Sequence, residues 1–276
     1  MTLLCLLLTL PCFADQQTTV LEERLTLGKA EVVLPAIDGS NDEELEKQAN
    51  KLIRDTASAL AKEVGGGRVT YRVLLNRPSL VSLLLEAENG GKHAFQGLNL
   101  DLTTGREFVV GDFFVDNDEV KQALGDYTQV LFAEEGIYHR TARKVAYESF
   151  VPYARVLNSL RIGEAGRLMQ VTRLTRAAAG KTLNLDKPGL AALKLDANPA
   201  TGYGWELSCA SPYITRVGSS FTIPRQEQAR MGTPGVEILF INIQQPGTYT
   251  VKMNYKRSWE RINLDSFSFT VNVKGN

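Results

Sequence analysis

Between Ser40 and Gly67 the apolar positions recur three and four residues apart. Leu45, Ala49, Leu52, Ile53, Thr56 and Leu60 share one helical face, and Ser40 with Glu43 ahead of them reads as a capping box. The spacing predicts a helix of roughly five turns. Gly65-Gly66-Gly67 ends it, because three successive glycines disfavour continuation. The triplet lacks the lysine and Ser/Thr of a phosphate loop, so it is read as punctuation. Upstream, Val32-Val33-Leu34-Pro35 reads as a short strand leaving into a turn at Ile37-Asp38-Gly39. Downstream the period shortens to that of strands, over Val69–Leu75, Leu80–Glu88, His93–Leu102 and Glu107–Val110. Their joints, Arg77-Pro78, Asn89-Gly90-Gly91 and Thr103-Thr104-Gly105, are turn chemistry, and an antiparallel meander follows. Asp112-Phe113-Phe114 then leads to a second expected helix, with Asn117, Asp118 and Glu119 at its start and Val120, Leu124, Tyr127 and Leu131 along one face. The carboxylates of Asp116, Asp118 and Glu119 suit a helix N-terminus better than catalysis, since no nucleophile or raised-pKa partner accompanies them.

From about Val171 onward the pattern is wholly β. Leu193 and Leu195 alternate with Lys194 and Asp196; Val236, Ile238 and Phe240 recur at period two; Tyr249, Val251, Met253 and Tyr255 alternate with polar residues; Phe267, Phe269, Val271 and Val273 follow. About seven short strands in a hundred residues predict an immunoglobulin-like sandwich. Three unusual loops interrupt them. In Asn198-Pro199-Ala200-Thr201-Gly202-Tyr203, Pro199 fixes its own φ and Gly202 admits angles closed to other residues, so the loop is stiff and shaped. It leads straight into Trp205, Leu207 and Cys209 on one face of a strand. In Gly232-Thr233-Pro234-Gly235, glycines bracket a proline. In Arg257-Ser258-Trp259 a large aromatic stands where a surface turn is expected. Strands of a sandwich alternate in direction, so these loops are expected at one end, with Trp259 exposed at the rim beside Arg257, the composition of a binding hot spot.

Composition narrows the possibilities. The chain has 276 residues, 43% of them hydrophobic, enough for two cores. Its 31 basic residues balance 31 acidic ones, and nothing in the total points to a nucleic-acid partner. Residues 1–14, Met1 to Ala14, form an apolar run too short to span a bilayer and ending in small residues, read as a secretory signal peptide although a basic n-region is missing; a periplasmic or extracellular location is expected. A lipoprotein reading through Cys12 is weakened by Pro11. Cys5 and Cys12 fall in that run, leaving Cys209 alone, so no internal disulfide is expected. His93 and His139 are the only histidines, which leaves no clustered zinc-ligand pattern and no expected cofactor. With no histidine after His139, a Cys-His enzyme built on Cys209 is disfavoured against a buried inert thiol. Arg140, Arg143 and Lys144, in the mixed stretch from Tyr138 to Leu160, read as a solvated face rather than a contact for an acidic partner.

Two resemblances add to this. Leu34-Pro35 with Gly39, Ser82-Leu83-Leu84, Asn99-Leu100-Asp101-Leu102-Thr103-Thr104-Gly105 and Asp112-Phe113-Phe114 resemble the paired DUF4163/DUF3298 module of bacterial envelope proteins, over about Thr26 to Leu160. That implies an α+β domain over 26–160 with a binding or sensing role; its ligand does not transfer with the resemblance, and lysozyme or a cell-wall glycan is the partner considered. The three loops in their order resemble the chagasin family of cysteine-peptidase inhibitors (inhibitor family I42), whose members carry Asn-Pro-Thr-Thr-Gly-Tyr/Phe, Gly-rich and Arg-Pro-Trp loops on an immunoglobulin-like fold. The resemblance covers roughly Leu168 to Val273, within an expected domain over residues 168–276. Ala200 and Ser258 depart from its pattern, replacing a Thr and a Pro. It implies a reversible, non-covalent wedge for papain-like peptidases, with Thr201 and Gly202 near the nucleophile, Arg257 and Trp259 on the primed side, and no catalytic residue. The other reading is an envelope-associated binding protein whose sandwich does not inhibit.

Overall fold

The computed structural model describes residues 19–39, 42–141, 146–223 and 233–275. The expected signal peptide, Ser40, Arg143, Lys144 and Gly232 lie outside them. The chain forms two compact units that divide between Phe108 and Val109.

In the first unit a hairpin, β1 (Thr19–Leu27) and β2 (Ala30–Asp38), turns at Gly28 and feeds helix α1 (Glu43–Val64). The chain returns as β3 (Gly67–Arg77), parallel to β2, and continues through β4 (Leu80–Asn89), β5 (Lys92–Asp101) and β6 (Arg106–Glu107) as an antiparallel meander. The six strands lie in sequence order. The charge-rich strand β1 had no clear alternation in the sequence, and only its pairing with β2 reveals it. Helix α1 is capped by Asp42, whose carboxylate accepts from the Glu44 and Leu45 amides. Ala49, Ile53, Ala57 and Leu60 from α1 meet Val32, Leu34, Val69, Leu83 and Leu85 from the sheet in one core. Gly67 must be glycine: its φ is +84° and an added Cβ would stand 2.1 Å from the Glu88 carbonyl. The motif residues serve the fold. Ser82 donates to Asn99 inside the sheet at 2.8 Å, and Asp101 accepts from the Thr103 amide and hydroxyl to form the turn.

The second unit opens with two short helices, α2 (Val110–Phe113) and α3 (Asp118–Leu124). The expected strand over Glu107–Val110 stops at Glu107, because the Asp112 carboxylate captures the Val109 amide at 2.8 Å and starts a helical turn. The second expected helix is also shorter. Asn117 caps it as anticipated, but it ends at Gly125, leaving Tyr127 exposed and Leu131 buried in β7 (Gln129–Phe132). Strand β7 pairs with β8 (Gly136–Arg140), and β8 with β9 (Ser149–Pro152). Three short 3-10 turns and α4 (Ala165–Leu168) follow.

Two four-stranded sheets then pack face to face. Strands β10 (Val171–Thr175), β12 (Gly189–Ala197), β15 (Gly235–Ile243) and β14 (Ile214–Thr222) form one in the order β10-β12-β15-β14. Strands β11 (Thr182–Leu185), β17 (Asp265–Val273), β16 (Gly247–Arg257) and β13 (Tyr203–Ser208) form the other in the order β11-β17-β16-β13. Leu193, Leu195, Leu239, Ile241 and Ile243 of the first sheet meet Trp205, Val251, Met253, Phe267, Phe269 and Val271 of the second. On β15 the row that enters the core is Leu239, Ile241 and Ile243, the alternate of the Val236, Ile238 and Phe240 row that the period picked out. Both faces of this central strand are covered, so period two alone could not choose between them. Among the described residues, no helix is long and apolar enough to cross a membrane.

Candidate protein-binding edge of the sandwich

The strand register brings the three loops together. Ala197, the last residue of β12, pairs with Gly235, the first of β15; Tyr203, the first of β13, pairs with Arg257, the last of β16. The loop from Asn198 to Gly202 joins β12 in one sheet to β13 in the other. All three loops therefore leave the sandwich at the same end, as the alternation of strand directions predicted.

The first loop folds on itself. Pro199–Thr201 make a single 3-10 turn in which the Thr201 amide and hydroxyl donate to the Asn198 carbonyl, at 3.1 and 2.6 Å, and the Gly202 amide donates to the Pro199 carbonyl at 2.9 Å. Gly202 closes it in the left-handed region, φ +80°. At its base the Asn198 amide donates to the Tyr255 hydroxyl at 2.9 Å, and the indole of buried Trp205 donates to the Asp196 carbonyl at 2.9 Å. The Tyr255 ring meets those of Tyr203 and Trp205 at a tilt, with centroids 5.5 and 4.9 Å away. The loop thus stands on an aromatic platform.

The third loop is locked to the first. The Arg257 guanidinium donates from Nε to the Thr201 carbonyl at 3.0 Å and from Nη1 to Glu260 at 2.9 Å, and it lies 4.5 Å over the Tyr203 ring. Its hydrogen bond to Glu260 raises its pKa further, so it is a permanent cation. The Glu260 amide donates to the Arg257 carbonyl at 3.0 Å, which makes 257–260 a β-turn with Ser258 and Trp259 at its corners. The Trp259 ring leans over Gly202 so closely that a Cβ there would stand 2.8 Å from its Cη2, while 71% of Trp259 stays exposed.

Of the sequence-predicted residues, Pro199, Ala200, Thr201, Gly202, Ser258 and Trp259 are exposed, and Asn198, Tyr203 and Arg257 are half-buried beneath them. In the middle loop Pro234 is exposed, Thr233 is half-buried, and Gly235 is buried, with no room for a Cβ against Phe221 and the Thr222 carbonyl. Sequence reasoning missed Tyr255 and Glu260 as supports. The Arg257–Glu260 spacing was the available signal for one; Tyr255 is placed only by its pairing with Trp205 in the structure. Cys209 is half-buried rather than buried: β13 ends at Ser208, and the thiol donates to the Thr250 carbonyl at 3.3 Å. Among the described residues, no group of three or more His, Cys, Asp or Glu could hold a metal ion.

Known proteins resemble each part. The chain is 29% identical to chagasin of Trypanosoma cruzi over 108 residues, 38% of this chain and 97% of that protein. It is similar to the crystal structure of a cysteine protease inhibitor from Entamoeba histolytica, 24% identical over 38% of this chain and 96% of that one, TM-score 0.34. The N-terminal part is covered by a DUF3298 family member from Bacteroides fragilis, 13% identical over 50% of this chain and 86% of that one, TM-score 0.27. Residues 184–273, which take in all three loops, match the model of the Chagasin family peptidase inhibitor I42.

Proposed function

We propose that this chain is a reversible, non-covalent inhibitor of papain-like cysteine peptidases, and that the edge made by Asn198–Tyr203, Gly232–Gly235 and Arg257–Trp259 fills the active-site cleft. The scaffold in this reading is an immunoglobulin-like domain beside a separate N-terminal α+β domain, in an exported protein. The match to the inhibitor family over the segment that carries the loops supports it.

One observation carries the mechanism: the first loop is tied into its shape before any partner arrives. The carbonyls of Asn198, Pro199 and Thr201 each accept a hydrogen bond within the edge. These bonds hold Pro199–Thr201 in a 3-10 turn rather than an extended strand, and a bound loop that keeps this turn does not present a near-attack scissile bond to a thiolate. A preformed loop also loses little conformational freedom on binding, and Trp259 offers a rigid anchor for a pocket.

The test is titration of papain and of a cathepsin L-like peptidase with the full chain, beside its Trp259→Ala variant. Competitive inhibition weakened at least about tenfold by the substitution is expected, since an aromatic anchor contributes about 2 kcal/mol or more. A chain that inhibits neither enzyme, with its fold intact, overturns the proposal.

A further inference from the structure

The β16–β17 loop does not end its apolar display at Trp259. Ile262 is 79% exposed and Leu264 66%; with Trp259 they are the three most exposed large hydrophobic residues among those described. Single exposed aliphatics are ordinary on a protein surface, but three within six residues of one loop are not. Nor is the loop a loose excursion that could fold them away. The Leu264 amide donates to the Tyr255 carbonyl at 2.8 Å, Asn263 Nδ2 donates to Asn254 Oδ1 at 3.1 Å, and Arg257–Glu260 closes the turn ahead of them. Just beyond, Asp265 is held by Arg176 at 3.0 Å. The loop is pinned at both ends with its apolar residues outward, and Trp259 at one end lies on Gly202 of the first loop. The exposed apolar residues therefore belong to the same loop that meets the first loop at Gly202.

We propose that Ile262 and Leu264 form a second apolar contact of the inhibitory edge, and that they select among papain-like peptidases for those whose surface beside the cleft is apolar where this loop lands. The inference rests on the inhibitory reading above and adds the determinant of target choice. Trp259 and the first loop engage the cleft that all such enzymes share; Ile262 and Leu264 touch the flank, where they differ. Specificity is a difference between affinities, and contacts outside the common cleft are where such a difference can be built.

The experiment compares inhibition constants of the full chain, an Ile262→Ser/Leu264→Ser variant and Trp259→Ala against a panel of papain-like peptidases of known surface. Both substituted side chains are largely in solvent, so the double variant should keep its melting temperature, which serves as the folding control. The double variant is expected to lose at least about tenfold in affinity for enzymes with an apolar flank, the scale of burying one aliphatic side chain, and little for enzymes with a polar one. The spread of affinities across the panel narrows, whereas Trp259→Ala lowers affinity for every member. If the unsubstituted chain inhibits no peptidase, the inhibitory reading falls and this inference with it. If it inhibits and the double variant matches it on every enzyme, the inference alone is overturned. Sedimentation with anionic phospholipid vesicles that is lost in the double variant, with inhibition unchanged, would assign Ile262 and Leu264 to a membrane surface instead.

Discussion

Gly202 is where backbone conformation, loop packing and binding meet, and adding one methyl group there tests all three. In Gly202→Ala the new Cβ is forced into the left-handed region at φ +80°, which costs an L-residue about 1–2 kcal/mol. The same atom would stand 2.8 Å from Trp259 Cη2. Carbon atoms settle at about 3.5 Å or more, so the ring must retreat by about 0.7 Å at least. Trp259 is 71% exposed, so it can swing outward with little loss to the folded state. Thermal stability should therefore fall by the backbone cost alone, lowering the melting point of the second unit, Val109–Asn276, by about 2–8 °C. Inhibition should fall further than stability, about tenfold, because the displaced ring no longer presents the geometry that the turn fixes. The assay is a double-mutant cycle with Trp259→Ala, measured both by thermal melting and by inhibition of papain. In the Trp259→Ala background the stability loss should persist and the additional loss of inhibition should shrink to less than about threefold. Undiminished losses in both backgrounds would show that Trp259 does not depend on its seat over Gly202. An unchanged melting point would show that residue 202 tolerates a side chain.

Two further outcomes are expected. Ser258→Pro should stabilise the sandwich by about 0.4–1 kcal/mol and tighten inhibition, because Ser258 is the second residue of the 257–260 turn, where proline's φ fits, and Arg257 before it is extended at the end of β16; a weaker inhibitor would mean that the turn must flex to bind. His139 lies buried in β8, its Nδ1 without a hydrogen-bond partner among the described residues, and burial holds its pKa below the ordinary 6.5. The folded chain takes up a proton there less readily than the unfolded chain, so this contribution to stability is full above about pH 6.5 and declines as pH falls below it; the fall in melting temperature from about pH 7.5 to about pH 5.5 should be shallower in His139→Gln.

How much of this was legible in the sequence depends on whether local signals and burial agreed. Helix α1 and the β3–β5 meander were readable because their periods are clean and their joints carry glycine and proline. Strand β1 was not, because an edge strand with one partner tolerates Glu22, Glu23 and Arg24 without an apolar alternation. The second helix was drawn too long because Tyr127 and Leu131 continue the helical spacing by coincidence, and Gly125 ends the helix before them. Both cases are failures of periodicity where tertiary pairing decides. The three-loop edge was legible for a different reason. Pro199, Gly202 and Gly235 mark turns by local rule, Arg257 and Trp259 stand out in a surface turn, and strands that alternate in direction bring these loops to one end. What the sequence hid was the wiring. Nothing in one dimension says that Arg257 reaches the carbonyl of Thr201, fifty-six positions earlier, or that Tyr255 receives the Asn198 amide. Those contacts arise from the register that sets Tyr203 opposite Arg257 and Trp205 opposite Tyr255, and register is fixed by the sandwich core. The rigidity of the edge is therefore a property of the whole sandwich, and a core substitution that slips β13 against β16 would unmake the edge without touching any of its exposed residues.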